Sequence, residues 1–135
     1  MVDVLRVEVV SSTGIVWEGD ARSVIVRTSE GDIGILPNHE PLLASLVPCA
    51  AEVLSTADTR EVVAIDGGFV SVADNRVSLL SQFAKIAEEI DLVAAEHELA
   101  AAEKRINAGE LDEETRHHYL RAQAQVRAAR MAREN

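Results

Sequence analysis

Aromatic side chains make up only 3% of the chain, and Trp17, Phe69, Phe83 and Tyr119 are all of them. A hydrophobic core must therefore be assembled from Val, Ile, Leu and Ala, with those four as the only large rings available. A single cysteine, Cys49, excludes an internal disulfide and any multi-cysteine metal site. Its plain reading is a small buried hydrophobe. No apolar run approaches the ~20 residues that span a bilayer. The opening Met1-Val2-Asp3-Val4-Leu5-Arg6 lacks the basic start and long apolar stretch of a signal peptide. Bases are few, 13 Lys and Arg against 23 Asp and Glu, for a net charge of −10. That balance argues against nucleic acid, whose binding is driven by counterion release at Lys and Arg. It equally disfavours docking on anionic lipid through a polybasic patch. The expectation is a cytosolic chain with no direct membrane insertion.

What is present is a globular composition, 47% apolar and 27% charged over 135 residues, enough for one domain or a small domain with an appendage. To about Ser81 the pattern is β. Short Val- and Ile-rich runs (Val4 to Val10, Ser23 to Arg27, Glu61 to Ile65, Phe69 to Val72, Val77 to Leu80) are separated by turn chemistry. The turns are Ser12-Thr13-Gly14, Glu30-Gly31-Asp32, Thr56-Ala57-Asp58 and Ala73-Asp74-Asn75. Leu5, Val7 and Val9 alternate with Arg6 and Glu8, as a half-buried strand requires. Pro37, Pro41 and Pro48 mark a segment expected not to be a central strand, because proline lacks the ladder donor. Gly67-Gly68, with no helix after it, predicts a bulge or a close backbone approach.

After Ile90 the period changes. Leu92, Ala95, Leu99, Ala102 and Ile106 recur at heptad spacing, with Asp91 placed as an N-cap and Gly109 at the C-terminal end. A second helix restarts at Leu111-Asp112-Glu113-Glu114-Thr115, capped by Asp112, and its seam is Tyr119, Ala122, Val126 and Ala129. The expected fold is therefore α+β and two-part: an N-terminal flattened antiparallel β-sandwich or barrel, then a C-terminal antiparallel α-helical hairpin. The boundaries are residues 1–85 for the β domain, 86–90 for a hinge and 91–135 for the hairpin. An alanine-rich seam buries little area, at ~25 cal/mol per Å², so the hairpin is expected to be weakly held and able to move.

Charge is uneven. Residues 1–90 carry a net −8 and residues 91–135 a net −2. From Arg116 onward Arg116, Arg121, Arg127, Arg130 and Arg133 face Glu134 alone. At about 100° per residue, Arg116, Arg127 and Arg130 fall within a ~60° arc. Two readings stand: a solvated face, or a face that meets an acidic partner. A second apolar stripe (Leu120, Ala124, Ala128, Met131) favours a further docking surface.

No G-x-S-x-G elbow, P-loop, G-x-G-x-x-G or H-E-x-x-H motif occurs. His117 and His118 diverge by about 100° on a helix and cannot share a metal as an i,i+4 pair would; they read as surface residues. The chain is expected not to be an enzyme by itself, with no metal site. The stretch most loaded with special residues is Gly31-Asp32-Ile33-Gly34-Ile35-Leu36-Pro37-Asn38-His39-Glu40-Pro41-Leu42-Leu43-Ala44. Its glycines and prolines specify several unusual torsions. Here the chain resembles the epsilon subunit family of rotary F-type ATP synthases, whose signature is G-(D/E)-x-G-(I/L)-L-P-x-H-x-P-L-(L/V). Asp66-Gly67-Gly68-Phe69 followed by Val70-Ser71-Val72 is similar to the family's G-G-(F/I)-x-x-V strand pair, and the resemblance covers the whole chain.

That resemblance implies a non-catalytic central-stalk subunit, peripheral at the cytoplasmic face of the plasma membrane, in a proton-translocating ATP synthase. It implies a β domain that binds the gamma subunit and rests on the membrane rotor ring of c subunits, with Asp32 and His39 as ring-contact residues. It implies a mobile hairpin that extends into the catalytic head of alpha and beta subunits and inhibits ATP hydrolysis, with Arg116, Arg121, Arg127 and Arg130 carrying the contact. Some family members bind ATP through an I/L-D-x-x-R-A motif and second-helix arginines. The matching positions here are Ile90, Asp91, Ala95 and Arg121, but Ala94 replaces the motif arginine and Gln125 follows one turn after Arg121, which removes partners for phosphate charge. No other cofactor is implied. The competing reading is a stand-alone ATP-sensing or ligand-binding β-sandwich module, which would need a polar cluster on one sheet face; the alternation shows none.

Overall fold

The computed structural model describes residues 3–134. These form strands β1 (Leu5–Ser11), β2 (Gly14–Thr28), β3 (Gly31–Ile35), β4 (Leu42–Ser55), β5 (Arg60–Ala73), β6 (Arg76–Leu80) and β7 (Ala84–Ile86). A single 3₁₀ turn (Ala87–Glu89) leads to helices α1 (Leu92–Asn107) and α2 (Glu113–Arg133). The strand order is β1-β6-β5-β4-β2-β3, and β1 also pairs with β2. Five strands thus close on themselves, which removes their free edges. β3 hangs on β2, and β7 on β5. The β1–β6 pair is parallel, an exception to the antiparallel expectation.

Several short runs read from the sequence are halves of longer strands. The run from Ser23 to Arg27 lies inside the 15-residue β2, and the runs on either side of Gly67-Gly68 are both β5. Gly67 and Gly68 have φ of 82° and 106°, and a Cβ on Gly68 would collide with the backbone carbonyl of Leu80. The strand can bend there and press against β6 only because no side chain intervenes. Pro48 corrects the proline argument: it lies within β4, a central strand paired on both sides. The ladder from β4 to β2 skips from Leu46 to Glu52, so Pro48 stands in an irregularity where its missing N–H breaks no rung to β2. The β2–β3 turn falls at Ser29-Glu30, one position earlier than expected, with Thr28 opposite Gly31. Between β5 and β6, Asp74 and Asn75 both take positive φ, the two-residue turn that matches strand twist.

The barrel interior is aliphatic. Leu5, Val7, Val9, Val24, Val53, Val63, Val70 and Leu79 are fully enclosed, each contributing roughly 1.5–3 kcal/mol of burial. Trp17 packs at its margin. Phe69 and Phe83 do not serve the core at all; both are exposed. Cys49 is buried, and burial pushes its thiol pKa up.

The hairpin is folded down. Val126, Ala128 and Ala129 of α2 form a second apolar cluster with Val62 and Ala64 of β5, Ala87, Ile90 and Ala95. The segment expected as a hinge is therefore anchored, with Ala87 and Ile90 both buried. Asp91 Oδ1 accepts from the Ala94 N–H at 3.2 Å, capping α1. At the other end Gly109 N–H donates to Ile106 and Glu110 N–H to Arg105, the Schellman pattern that Gly109, at φ 90°, makes possible. Asp112 caps α2 through the N–H of Thr115 at 3.1 Å. Of the second apolar stripe of α2, Ala124 and Ala128 are buried in this docked hairpin and Met131 is partly so, while Leu120 stays exposed.

Candidate functional site

Three surfaces carry side chains free to meet other molecules, and each follows from how the strands alternate. The first is β3 with the loop after it. Asp32 lies opposite Arg27 in the β2–β3 register, and Arg27 Nε donates to Asp32 Oδ1 at 2.8 Å. That hydrogen bond, with the guanidinium charge, holds the Asp32 carboxyl below the usual carboxylate range. His39 sits past the far end of β3. Its Nδ1–H donates to the carbonyl of Glu40 at 2.7 Å, and its backbone N–H donates to the carbonyl of Leu36 at 3.1 Å. Asn38 ties this loop to the β5–β6 turn through its N–H and Asn75 Oδ1 at 2.6 Å. The structure does not bring Asp32 and His39 together. From Asp32 to the end of β3 is already roughly 10 Å of strand, and the Asp32 end feels the charge of Arg127 on α2.

The second surface was not legible in the sequence. Leu43, Phe69 and Leu80 are 75%, 53% and 45% exposed. Phe69 pairs with Leu80 across β5–β6 and with Ser45 across β4–β5, two residues from Leu43. Alternation turns all of these to the outer face, where Phe69 and Leu80 are cross-strand neighbours and Leu43 lies diagonally from Phe69, with Ser45 and Ser71 completing the rungs. The neighbouring residues Leu42, Val70 and Leu79 point inward or are more deeply buried. Both faces of these strands are apolar, so sequence alternation alone cannot say which residues stay exposed.

The third surface is the hairpin. Of the four arginines expected to act together, Arg116, Arg127 and Arg130 are exposed and Arg121 is partly buried. Arg121 lies 3.6 Å from Asp66 on β5, and Arg130 lies 3.6 Å from Glu96 on α1. In the docked hairpin two of the four are thus held by acids of the same chain. His117 is exposed and His118 partly so, in keeping with the surface expectation, and each has a carboxylate neighbour. His117 Nε2 is 2.7 Å from Asp66 Oδ1, and His118 Nε2 is 3.0 Å from Glu98 Oε2 on α1.

A shallow cleft of about 280 Å³ is lined by Phe83, Glu98, His118, Arg121, Ala122 and Gln125. Of the residues matching the ATP motif, Arg121 lines this cleft and the others do not. Ile90 and Ala95 are buried in the docking cluster, Asp91 is spent as a cap, and Arg121 is engaged with Asp66. Glu98 adds a carboxylate to the lining, which opposes phosphate. Among the described residues no cluster of His, Cys, Asp and Glu could hold a metal ion.

The family model described as "ATP synthase, Delta/Epsilon chain, beta-sandwich domain" matches residues 4–87. An ATP synthase epsilon chain of Cutibacterium acnes is 44% identical over 95% of this chain and 93% of its own length. One from Alkalihalophilus pseudofirmus is 40% identical over 80% of each. Among solved structures, a chain of the Euglena gracilis mitochondrial ATP synthase F1/c-ring assembly superposes with a TM-score of 0.77. It covers 98% of this chain and 82% of that one at 24% identity, a likeness of fold.

Proposed function

The chain belongs to the delta/epsilon family of ATP synthase subunits, as an epsilon chain of the bacterial kind, and from that premise we propose that it couples the gamma subunit to the rotor ring. It is a non-catalytic central-stalk part of a rotary ATP synthase. The observation that carries the coupling is the Leu43–Phe69–Leu80 patch. The barrel is closed and the hairpin packs on β4 and β5 through Ala50, Val62 and Ala64, so this patch is left apolar and uncovered by the chain itself. Burying such a patch against a partner is favourable by ~25 cal/mol per Å². The gamma subunit is the partner we assign to it. The loop bearing His39 and exposed Leu36, pinned by Asn38 and Asn75, is the end we assign to the ring of c subunits; Asp32 contributes from the other end of β3. Polar groups at such a rim fix orientation more than affinity.

No described helix is long and apolar enough to cross a membrane, which fits a peripheral attachment through the ring at the cytoplasmic face. The hairpin is the regulatory element. Extended, it would free Arg121 and Arg130 from Asp66 and Glu96, and with Arg116 and Arg127 present them to acidic segments of the alpha and beta subunits, suppressing ATP hydrolysis. No nucleotide role is assigned to the cleft beside Arg121. The test is reconstitution of this chain with its gamma subunit. Phe69→Asp with Leu43→Asp should abolish co-elution with gamma while leaving the thermal unfolding of the free chain nearly unchanged. Retained co-elution would remove the patch from the interface. Truncation after Glu89 should raise ATP hydrolysis by the assembled complex.

A further inference from the structure

Asp66 is a carboxylate largely enclosed between the barrel and the hairpin, with its side chain 12% exposed. It occupies a particular place in a pattern. Val62, Ala64 and Asp66 alternate onto the outer face of β5, and the first two form the floor on which α2 lies. The apolar strip ends in a charge. On α2 the residues that reach it are His117 and Arg121, one helical turn apart and therefore on one face. Asp66 Oδ1 receives no well-directed hydrogen bond among the described residues, so those two side chains are its compensation for lost water. At the other end of the same strip Arg60 donates to the carbonyl of Met131 in the last turn of α2, at 3.4 Å, where the helix dipole favours a cation.

The two contacts are matched in length. His117 to Met131 is about 21 Å of helix at 1.5 Å per residue, and Arg60 to Asp66 is about 20 Å of strand at 3.3–3.4 Å per residue. Between them β4 and β5 supply Ala50, Val62 and Ala64 and α2 supplies Val126, Ala128 and Ala129, in a cluster that also takes in Ile90, Leu92 and Leu99. Small, uniform side chains interdigitate weakly, and a helix can slide along them by a turn at little cost. A buried charge cannot be displaced so cheaply. If α2 slipped by one turn in either direction, the carboxylate would lose at least one partner.

We propose that Asp66 is the register pin of the docked hairpin: its carboxylate holds His117 and Arg121, fixes where α2 sits on β5, and keeps Arg121 from any other acidic partner. Asp66 is a positioning residue, and the proposal rests on the reading that the hairpin can leave the barrel. Its consequence is competition. The acid on the barrel and any acid on the catalytic head claim the same Arg121, so the hairpin cannot be docked and inhibitory through that side chain at once.

The experiment measures distance in the full chain. With Cys49→Ser as background, nitroxide labels on Thr59→Cys and Arg133→Cys span the far end of the strip, and pulsed electron resonance gives their distance distribution. The unaltered register should give one narrow, short distance. Asp66→Asn should broaden it, because the alanine strip alone does not select a register. His117→Gln with Arg121→Gln should add a long component, because the carboxylate is then enclosed without a partner. Adding Asp66→Asn to that pair should remove the long component, a reversal that loss of packing could not produce. A narrow wild-type distribution in Asp66→Asn, or in His117→Gln/Arg121→Gln, would overturn the proposal, as would failure of the third substitution to reverse the second pair. The inhibitory role is scored separately, by hydrolysis in the complex carrying the chain truncated after Glu89. Unchanged hydrolysis there removes inhibition but leaves the pin, which is read from distances alone.

Discussion

Substituting glycines one at a time separates torsional strain from steric exclusion in this barrel, and Gly68→Ala is the decisive member of the series. Gly68 has φ of 106°, and its Cβ would run into the carbonyl of Leu80 on β6. Holding an L-residue in that region costs about 1–3 kcal/mol. Relieving the clash requires β5 and β6 to separate around the Phe69–Leu80 rung, and each hydrogen bond weakened there costs about 1 kcal/mol net. The sum is about 3–5 kcal/mol, a large part of the roughly 5–15 kcal/mol that a domain has. For a chain of this size it should lower Tm by about 10 °C or more. Gly31→Ala isolates the torsion: φ is 122°, but a Cβ there meets nothing within 4 Å, so the cost should be about 1–2 kcal/mol. Gly34→Ala has neither problem and should change stability by less than about 0.5 kcal/mol. Denaturant unfolding of the full chain, followed by circular dichroism, reads all three. If Gly68→Ala were no worse than Gly31→Ala, the close approach of β5 and β6 would be refuted.

Two further outcomes follow from side-chain chemistry. The hydroxyl and N–H of Thr115 hold the Asp112 carboxyl below its usual range. A depressed native pKa means the cap is fully present above the unfolded value near 4 and is lost as pH falls through the lower native value. The protection factors of amides at the start of α2, taken against the intrinsic exchange rate at each pH, should therefore fall in acid, and Asp112→Ala should show the low protection already at neutral pH; equal protection in the two proteins at pH 7 would deny the cap. Cys49 is enclosed, with its thiol pushed up by burial, so little thiolate is available. Alkylation at pH 7 should proceed only as fast as global unfolding, and rapid labelling of the native chain would contradict the burial.

Much of the local structure is legible in the sequence. Leu5, Val7 and Val9 point inward, Asp91 and Asp112 cap their helices, and Gly109 makes the turn between them. Where legibility failed, the missing information was a partner distant in sequence. Pro48 was set aside from any central strand because the rule concerns a regular ladder, and only the register with β2 reveals the interruption that accommodates it. His117 is on the surface as its place on α2 implies, but its neighbour Asp66 lies 51 positions earlier, and nothing local on α2 announces it. Phe69 stands outside the core that phenylalanine usually joins.

By itself the sequence determined the periods, the caps, the turns and the loop signature that carries the family. Each of these depends on φ, ψ and side-chain direction over a few residues, where 2.0 and 3.6 are the only regular repeats available. The parallel run of β1 beside β6, the face of β4 and β5 that the hairpin covers, and the exposure of Leu43, Phe69 and Leu80 are set by the assembled fold. Those outcomes depend on the total apolar area that competing arrangements remove from water, and that area is a property of the whole chain rather than of any segment.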